Sequence, residues 1–214
     1  YLLGKEIYDE LTALVAAFLL AFNYRHFLSS VLPLNDIPNA VGTLLMMLLL
    51  VRQLKRPTRK GLVMVGMLTG IVFSIKFQPF IFVPVAVALL IRVLQRKAGR
   101  VPNRLWVFVK ECLFVFSVGA LVVAVVNILP LLHWREFNSF LGDVGVRNTV
   151  GNVSFRLYPY WFLYTIGIGQ IVSWLAIVGL ALSLANKATR KHVLVTLSYL
   201  VFVFFFLSYY SSGG

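Results

Sequence analysis

Three residues in this chain stand where charge could do chemistry: Asp36, Lys76 and Arg147. Asp36 occupies Asn35-Asp36-Ile37-Pro38, directly before an apolar run. An acid there suits two roles. It caps a helix whose first turn holds a proline, and its oxygens suit a hard divalent cation or a polar substrate group. Lys76 interrupts two apolar runs, in Lys76-Phe77-Gln78-Pro79. Such a lysine marks a membrane surface by snorkelling, or it binds a lipid phosphate as a point charge. Arg147 lies in a polar stretch, His133 to Tyr158, with Trp134, Arg135, Glu136, Phe137, Phe140, Asp143, Asn148, Asn152, Phe155 and Arg156. Arginine pairs well with phosphate, whereas aromatics at such a boundary form a membrane belt. Asn152-Val153-Ser154 fits a glycosylation acceptor, a triplet that also arises by chance.

Other chemistries find no support. His26, His133 and His192 are far apart, and Cys112 is the one cysteine, so neither a multi-cysteine metal site nor an internal disulfide is available. No glycine-rich phosphate loop and no Ser-His-Asp set is present.

The elements that position these residues are membrane helices. Hydrophobic residues make up 60% of the 214 and charged ones only 13%, against about 25% charged in a soluble domain. Mean hydropathy is +0.88. Apolar runs long enough for about 30 Å of hydrocarbon recur. They are apolar all round, without the alternation of a barrel strand, so the fold class is all-α, a polytopic helix bundle. The runs predict about seven spans: Leu11 to Phe22, Ala40 to Val51, Gly61 to Lys76, Phe77 to Leu94, Val107 to Leu132, Tyr160 to Leu184 and Val193 to Tyr209. Pro79 and Pro84 should start or kink the fourth, and Gly66 and Gly70 allow close packing of the third. The chain reads as a single transmembrane domain, 1–214, expected to be a fragment of a longer protein.

Seven spans divide the loops between two sides. Fifteen of the twenty lysines and arginines fall on one side, among them Lys5, Arg52, Lys55, Arg56, Arg59, Lys60, Arg96, Arg104 and Lys191. Positive loops stay in the cytoplasm. That side is therefore expected inside, and Asp36, Lys76 and Arg147 outside. The net charge of +13 is thus a topology signal, and no nucleic-acid partner is expected.

The order of these features resembles dolichyl-phosphate-mannose protein mannosyltransferases of the GT-C type, a group that includes aminoarabinose transferases. Tyr1-Leu2-Leu3-Gly4-Lys5 leads into an apolar helix; Ser29-Ser30 and Asp36-Ile37-Pro38 follow; a basic loop then precedes Gly66, Gly70 and Lys76 in a G-x-x-x-G-x-x-x-x-x-K pattern. The likeness covers about Tyr1 to Leu94. It implies a membrane glycosyltransferase that passes a sugar from a polyprenyl-phosphate carrier to an acceptor hydroxyl, on a protein or lipid, on the extracytoplasmic side. It places Asp36 near a metal (Mg or Mn) or acceptor site, and Lys76 at the outer end of its helix. The family's catalytic acid lies in an earlier outer loop, so either the base lies before Tyr1, as expected, or the chain lacks activity. The assignment of Arg147 to the carrier phosphate is our own. Membrane lipids are further partners, and the location is a multi-pass one, in the plasma (inner) membrane for a prokaryote. The competing class is a transporter or channel subunit, which would carry ionisable residues at mid-membrane depth.

Overall fold

The computed structural model describes residues 1–22, 36–76, 79–96, 103–128, 132–133, 135, 138–139 and 170–210. Among these residues there are no strands. A short helix, Leu2–Ile7 (α1), is followed by Glu10–Ala21 (α2), Asp36–Lys55 (α3) and Arg59–Lys76 (α4). A 3-10 turn, Pro79–Ile81, leads into Phe82–Leu94 (α5). Arg104–Val126 (α6), Gln170–Ala185 (α7) and Lys187–Tyr210 (α8) complete the described helices.

Local sequence sets several of these boundaries. Asp9 caps α2, accepting from the Thr12 backbone N–H at 2.8 Å. Asn103 caps α6 in the same way, accepting from the Trp106 N–H at 3.0 Å. Each satisfies a donor that a helix start leaves without a partner. Helix α3 opens at Asp36, so Pro38 falls in its first turn, where the missing N–H costs nothing. Pro79 opens the 3-10 turn and Pro84 lies in the first turn of α5, so both prolines start elements and neither breaks one. Helix α6 stops at Val126, short of the expected Leu132. Asn127 ends it, with a backbone N–H bond to the Val123 carbonyl and a side-chain bond from Nδ2 to the same oxygen at 2.9 Å. The expected start of the sixth span, from Tyr160, lies outside the described residues.

Two helices are long and apolar enough to cross a membrane, Ile37–Lys55 and Arg104–Val126, with Glu10–Ala21, Pro79–Leu94 and Trp174–Ala185 as shorter apolar helices. Helix α4 carries charge at both ends, so its uncharged stretch of about 15 residues rises only about 22 Å. The two long helices play different parts. The apolar window of α3 is 56% buried and that of α6 only 11%. Helix α3 is therefore central, while α6 turns Leu105, Leu113, Leu121 and Val125 outward. Large apolar side chains also stand exposed along α2 and α7, as an apolar surrounding allows and water does not.

The core is formed by Met46, Met47 and Leu50 of α3, Leu62, Val65 and Val72 of α4, and Ile81, Val85 and Leu89 at the start and along α5. Helices α3 and α4 form an antiparallel hairpin. Gly42 meets Val72, the Thr69 hydroxyl donates to Met46 Sδ at 3.6 Å, and Gln53 Nε2 donates to Thr58 Oγ1 at 3.2 Å. The paired numbers sum to nearly the same value where the helices face each other, which is the signature of an antiparallel register. Helix α4 packs in parallel on α6. Gly66 lies against Val115 and Val118, and Gly70 against Gly119 and Val122. Backbones this close are the usual consequence of small residues at four-residue spacing in a membrane helix pair.

Candidate functional site

The hairpin register decides which residues meet. Asp36 begins α3 and Lys76 ends α4, so both lie at one end of the hairpin. The opposite end is the turn Arg56-Pro57-Thr58, with Arg52, Lys55, Arg59 and Lys60 around it. Lys76 is exposed. The side chain of Asp36, and all of Arg147, fall outside the described residues. Two of the three expected site residues are therefore brought to one end by the backbone. Among the described residues no three His, Cys, Asp or Glu side chains gather to hold a metal ion.

A groove of about 610 Å³ opens between α4, α5 and α6. Its wall is Gly70, Phe73, Phe82, Phe116, Gly119, Ala120, Val123 and Ala124. The glycines leave the backbone bare on one side, and aromatic rings close the other. Phe73 and Phe82 have centroids 5.2 Å apart, and Phe82 meets Phe116 edge-on at 5.5 Å. Such ring pairs hold a defined geometry. Lys76 follows Phe73 by three residues, so the lysine stands one turn beyond that wall residue of the groove on α4.

At the mouth, Asn127 Nδ2 donates to Ser74 Oγ at 2.9 Å, and Ser74 Oγ donates to the Gly70 carbonyl at 2.9 Å. This pair ties the end of α6 to the end of α4 beside Lys76. The sequence pattern did not single out the groove or the Ser74–Asn127 pair. With eighteen phenylalanines in the chain, spacing alone does not mark three that converge from separate helices.

The opposite end carries a second set of polar contacts. Arg92 Nη1 donates to Gln53 Oε1 at 2.9 Å. Arg92 Nε lies 3.5 Å from Glu111 Oε2, and Arg96 pairs with the other oxygen of Glu111. The side chains of Arg92 and Glu111 are only 10% and 12% exposed. Glu6 of α1 pairs with Arg52 and Lys55, each at 3.3 Å. Burial pushes the Glu6 carboxyl up, but hydrogen bonds and charge from Lys55 and Arg52 outweigh it and hold its pKa below the ordinary carboxylate value.

Comparison with known proteins gives the family. The sequence profile described as dolichyl-phosphate-mannose-protein mannosyltransferase matches residues 1–134, well past the Leu94 limit of the resemblance. No curated protein matches, and no solved structure matches. The matched region contains the hairpin, the groove and the Asp36 and Lys76 positions, and it covers more than half of the chain. The chain thus belongs to the dolichyl-phosphate-mannose-protein mannosyltransferase family, whose members are integral membrane glycosyltransferases that draw on lipid-linked sugar donors.

Proposed function

We propose that the chain transfers a sugar from a polyprenyl-phosphate carrier to an acceptor hydroxyl, on a protein or a lipid, at the extracytoplasmic face of a membrane it crosses several times. In a prokaryote that membrane is the plasma (inner) membrane. The observation that supports this most is the placement of Asp36 and Lys76 at one end of the hairpin, beside an aromatic-lined groove.

A polyprenyl tail is all hydrocarbon, and the groove offers it hydrocarbon and ring faces. The carrier phosphate then comes to rest at the groove's mouth, where the Lys76 ammonium supplies the opposite charge. Arg147 is assigned to the same phosphate as a second cation. Charge on the phosphate grows as the bond between it and the anomeric carbon breaks, so cations at that point favour the departing group over the bound donor. The acceptor oxygen forms the new bond to the anomeric carbon, and its proton passes to a carboxylate base. Asp36 is assigned to the acceptor or to a divalent cation, Mg or Mn, which it would hold through its carboxylate and which would stabilise charge at oxygen. No nucleotide-binding fold is needed, because the leaving group is already an activated phosphate.

The location of charge favours a transferase over a transporter. Among the described residues, the charged side chains of α3 to α6 lie within about two turns of a helix end, not at mid-depth as a substrate pathway would require. The extracytoplasmic assignment is supported by the excess of basic residues at the other end.

The test is donor binding in nanodiscs. Lys76→Gln should weaken binding of a polyprenyl-phosphate sugar about tenfold to hundredfold, the worth of a charge-assisted contact of roughly 1.5–3 kcal/mol. Lys76→Arg should retain part of it. Donor binding unchanged in Lys76→Gln, with an unchanged melting temperature, removes Lys76 from the site.

A further inference from the structure

At the end of the hairpin remote from Lys76, an open cavity of about 530 Å³ lies between α1, α3 and the start of α4. Four cationic side chains line it, Arg52, Lys55, Arg56 and Lys60, against one carboxylate, Glu6. Glu6 is committed to Arg52 and Lys55. Among the described residues Arg56 and Lys60 make no ion pair, so the cavity keeps a surplus of positive charge. Its floor is already fixed. Thr58 N–H donates to Gln53 Oε1 at 3.0 Å, and Gly61 N–H donates to Thr58 Oγ1 at 3.0 Å.

The apolar part of the lining identifies the ligand. Leu49 lies one turn before the cations of α3, and Met64 one turn after Lys60 on α4. Both are on the side of the cavity that leads along the hairpin toward mid-span, and Met64 is exposed. The cavity therefore has a cationic rim where the helices end and an apolar wall where hydrocarbon begins. A free phosphate would use the rim alone. An amphiphile uses both, with its phosphate among the cations and an acyl chain against Leu49 and Met64.

We propose that this cavity is a binding site for an anionic phospholipid, separate from the donor-lipid groove. Basic cavities between membrane helices hold anionic headgroups in this way, and each lysine or arginine adds to the attraction. The two sites lie toward opposite ends of α4, with Lys60 of one and Lys76 of the other about 24 Å apart along its axis.

The full chain in detergent would be titrated with phosphatidylglycerol, with phosphatidylcholine of the same acyl chains and with inorganic phosphate, and bound lipid counted by native mass spectrometry. Wild type should retain phosphatidylglycerol about tenfold more tightly than phosphatidylcholine, and millimolar phosphate should not displace it. Arg56→Gln with Lys60→Gln should cost about a thirtyfold loss in that affinity, the effect of two interfacial charges. Arg56→Lys with Lys60→Arg should retain it, which separates charge from folding. Arg59→Gln, a neighbour that does not line the cavity, should matter less than Lys60→Gln. Equal retention of the two lipids by wild type overturns the proposal. So does displacement by phosphate alone, or an Arg59→Gln loss as large as that of Lys60→Gln.

Discussion

Gly70→Ala tests the packing of α4 on α6 most directly, because the conflict can be read as a distance. A Cβ added at Gly70 would sit 2.5 Å from the Gly119 carbonyl oxygen and 2.9 Å from Val122 Cβ. Ordinary contact needs about 3.4 Å or more, and the first obstacle is backbone, which cannot rotate away. The helices must then part by somewhat under 1 Å along the seam. Overpacking of this kind costs about 1–3 kcal/mol, while replacing a helical glycine by alanine returns about 1 kcal/mol. The net expectation is a destabilisation of about 0–2 kcal/mol. At Gly66 the nearest atom is the Val115 carbonyl at 2.7 Å, and at Gly119 it is the Gly66 carbonyl at 3.2 Å. The order of damage should be Gly70→Ala, then Gly66→Ala, then Gly119→Ala. Gly179 is the internal control. A Cβ there meets nothing within 4 Å, so Gly179→Ala keeps the propensity gain without the clash. Melting temperatures in one detergent would compare the four variants. A Gly70→Ala protein at least as stable as Gly179→Ala would refute the close seam, and with it the groove that Gly70 and Gly119 wall.

Three further outcomes are expected. Asp36 is the first residue of α3, so Asp36→Asn removes a first-turn charge from a helix N-terminus and should cost at most about 1 kcal/mol of thermal stability, yet lower transfer by the full-length enzyme; wild-type turnover would leave Asp36 only its helix-end role. Glu111→Ala strands Arg92 and Arg96 without their shared counter-ion and should destabilise by roughly 3–5 kcal/mol, as breaking a buried pair does, whereas a melting curve within 1 kcal/mol of wild type would mean that water already satisfies the two guanidinium groups. The third concerns pH: the Glu6 pKa is lower in the folded chain than its ordinary value of 4.5, so its contribution is full above about pH 4.5 and lost as the pH falls through the lower folded value. Protection of the α1 amides, taken relative to the intrinsic exchange rate at each pH, should therefore fall below pH 4.5 and be steady from pH 5 to 7; a loss of protection in the neutral range would assign the docking of α1 to another group.

How much of this was legible beforehand follows from which energies are local. Transfer of a residue into hydrocarbon depends mainly on that residue, so the apolar runs gave the helical class and placed α3, α4 and α5 within a few residues. Helix-end preferences are local too, which is why Asp36-Ile37-Pro38 marked the start of α3 and Lys76 the end of α4. The charge pattern assigned the two residues to one side, and the order of motifs resembled the right family. The faces that meet were not legible. In lipid an outward Leu121 and an inward Leu50 have equally apolar surroundings, so periodicity does not tell them apart. Shape decided it: the bare backbone at Gly66, Gly70 and Gly119 admits α6 against α4 and leaves Phe73, Phe82 and Phe116 to close a groove. Glu111 follows Lys110 in the sequence, and nothing in that spacing names a distant partner. Only the tertiary structure makes Glu111 the counter-ion of Arg92 and Arg96, because their meeting depends on how α5 and α6 cross. Arg147 belongs to a stretch outside the described residues, and its assignment rests on the chemistry of arginine with phosphate. The sequence by itself determined the helices and which of their ends carry charge; the packing of small residues decided which of those ends share a site.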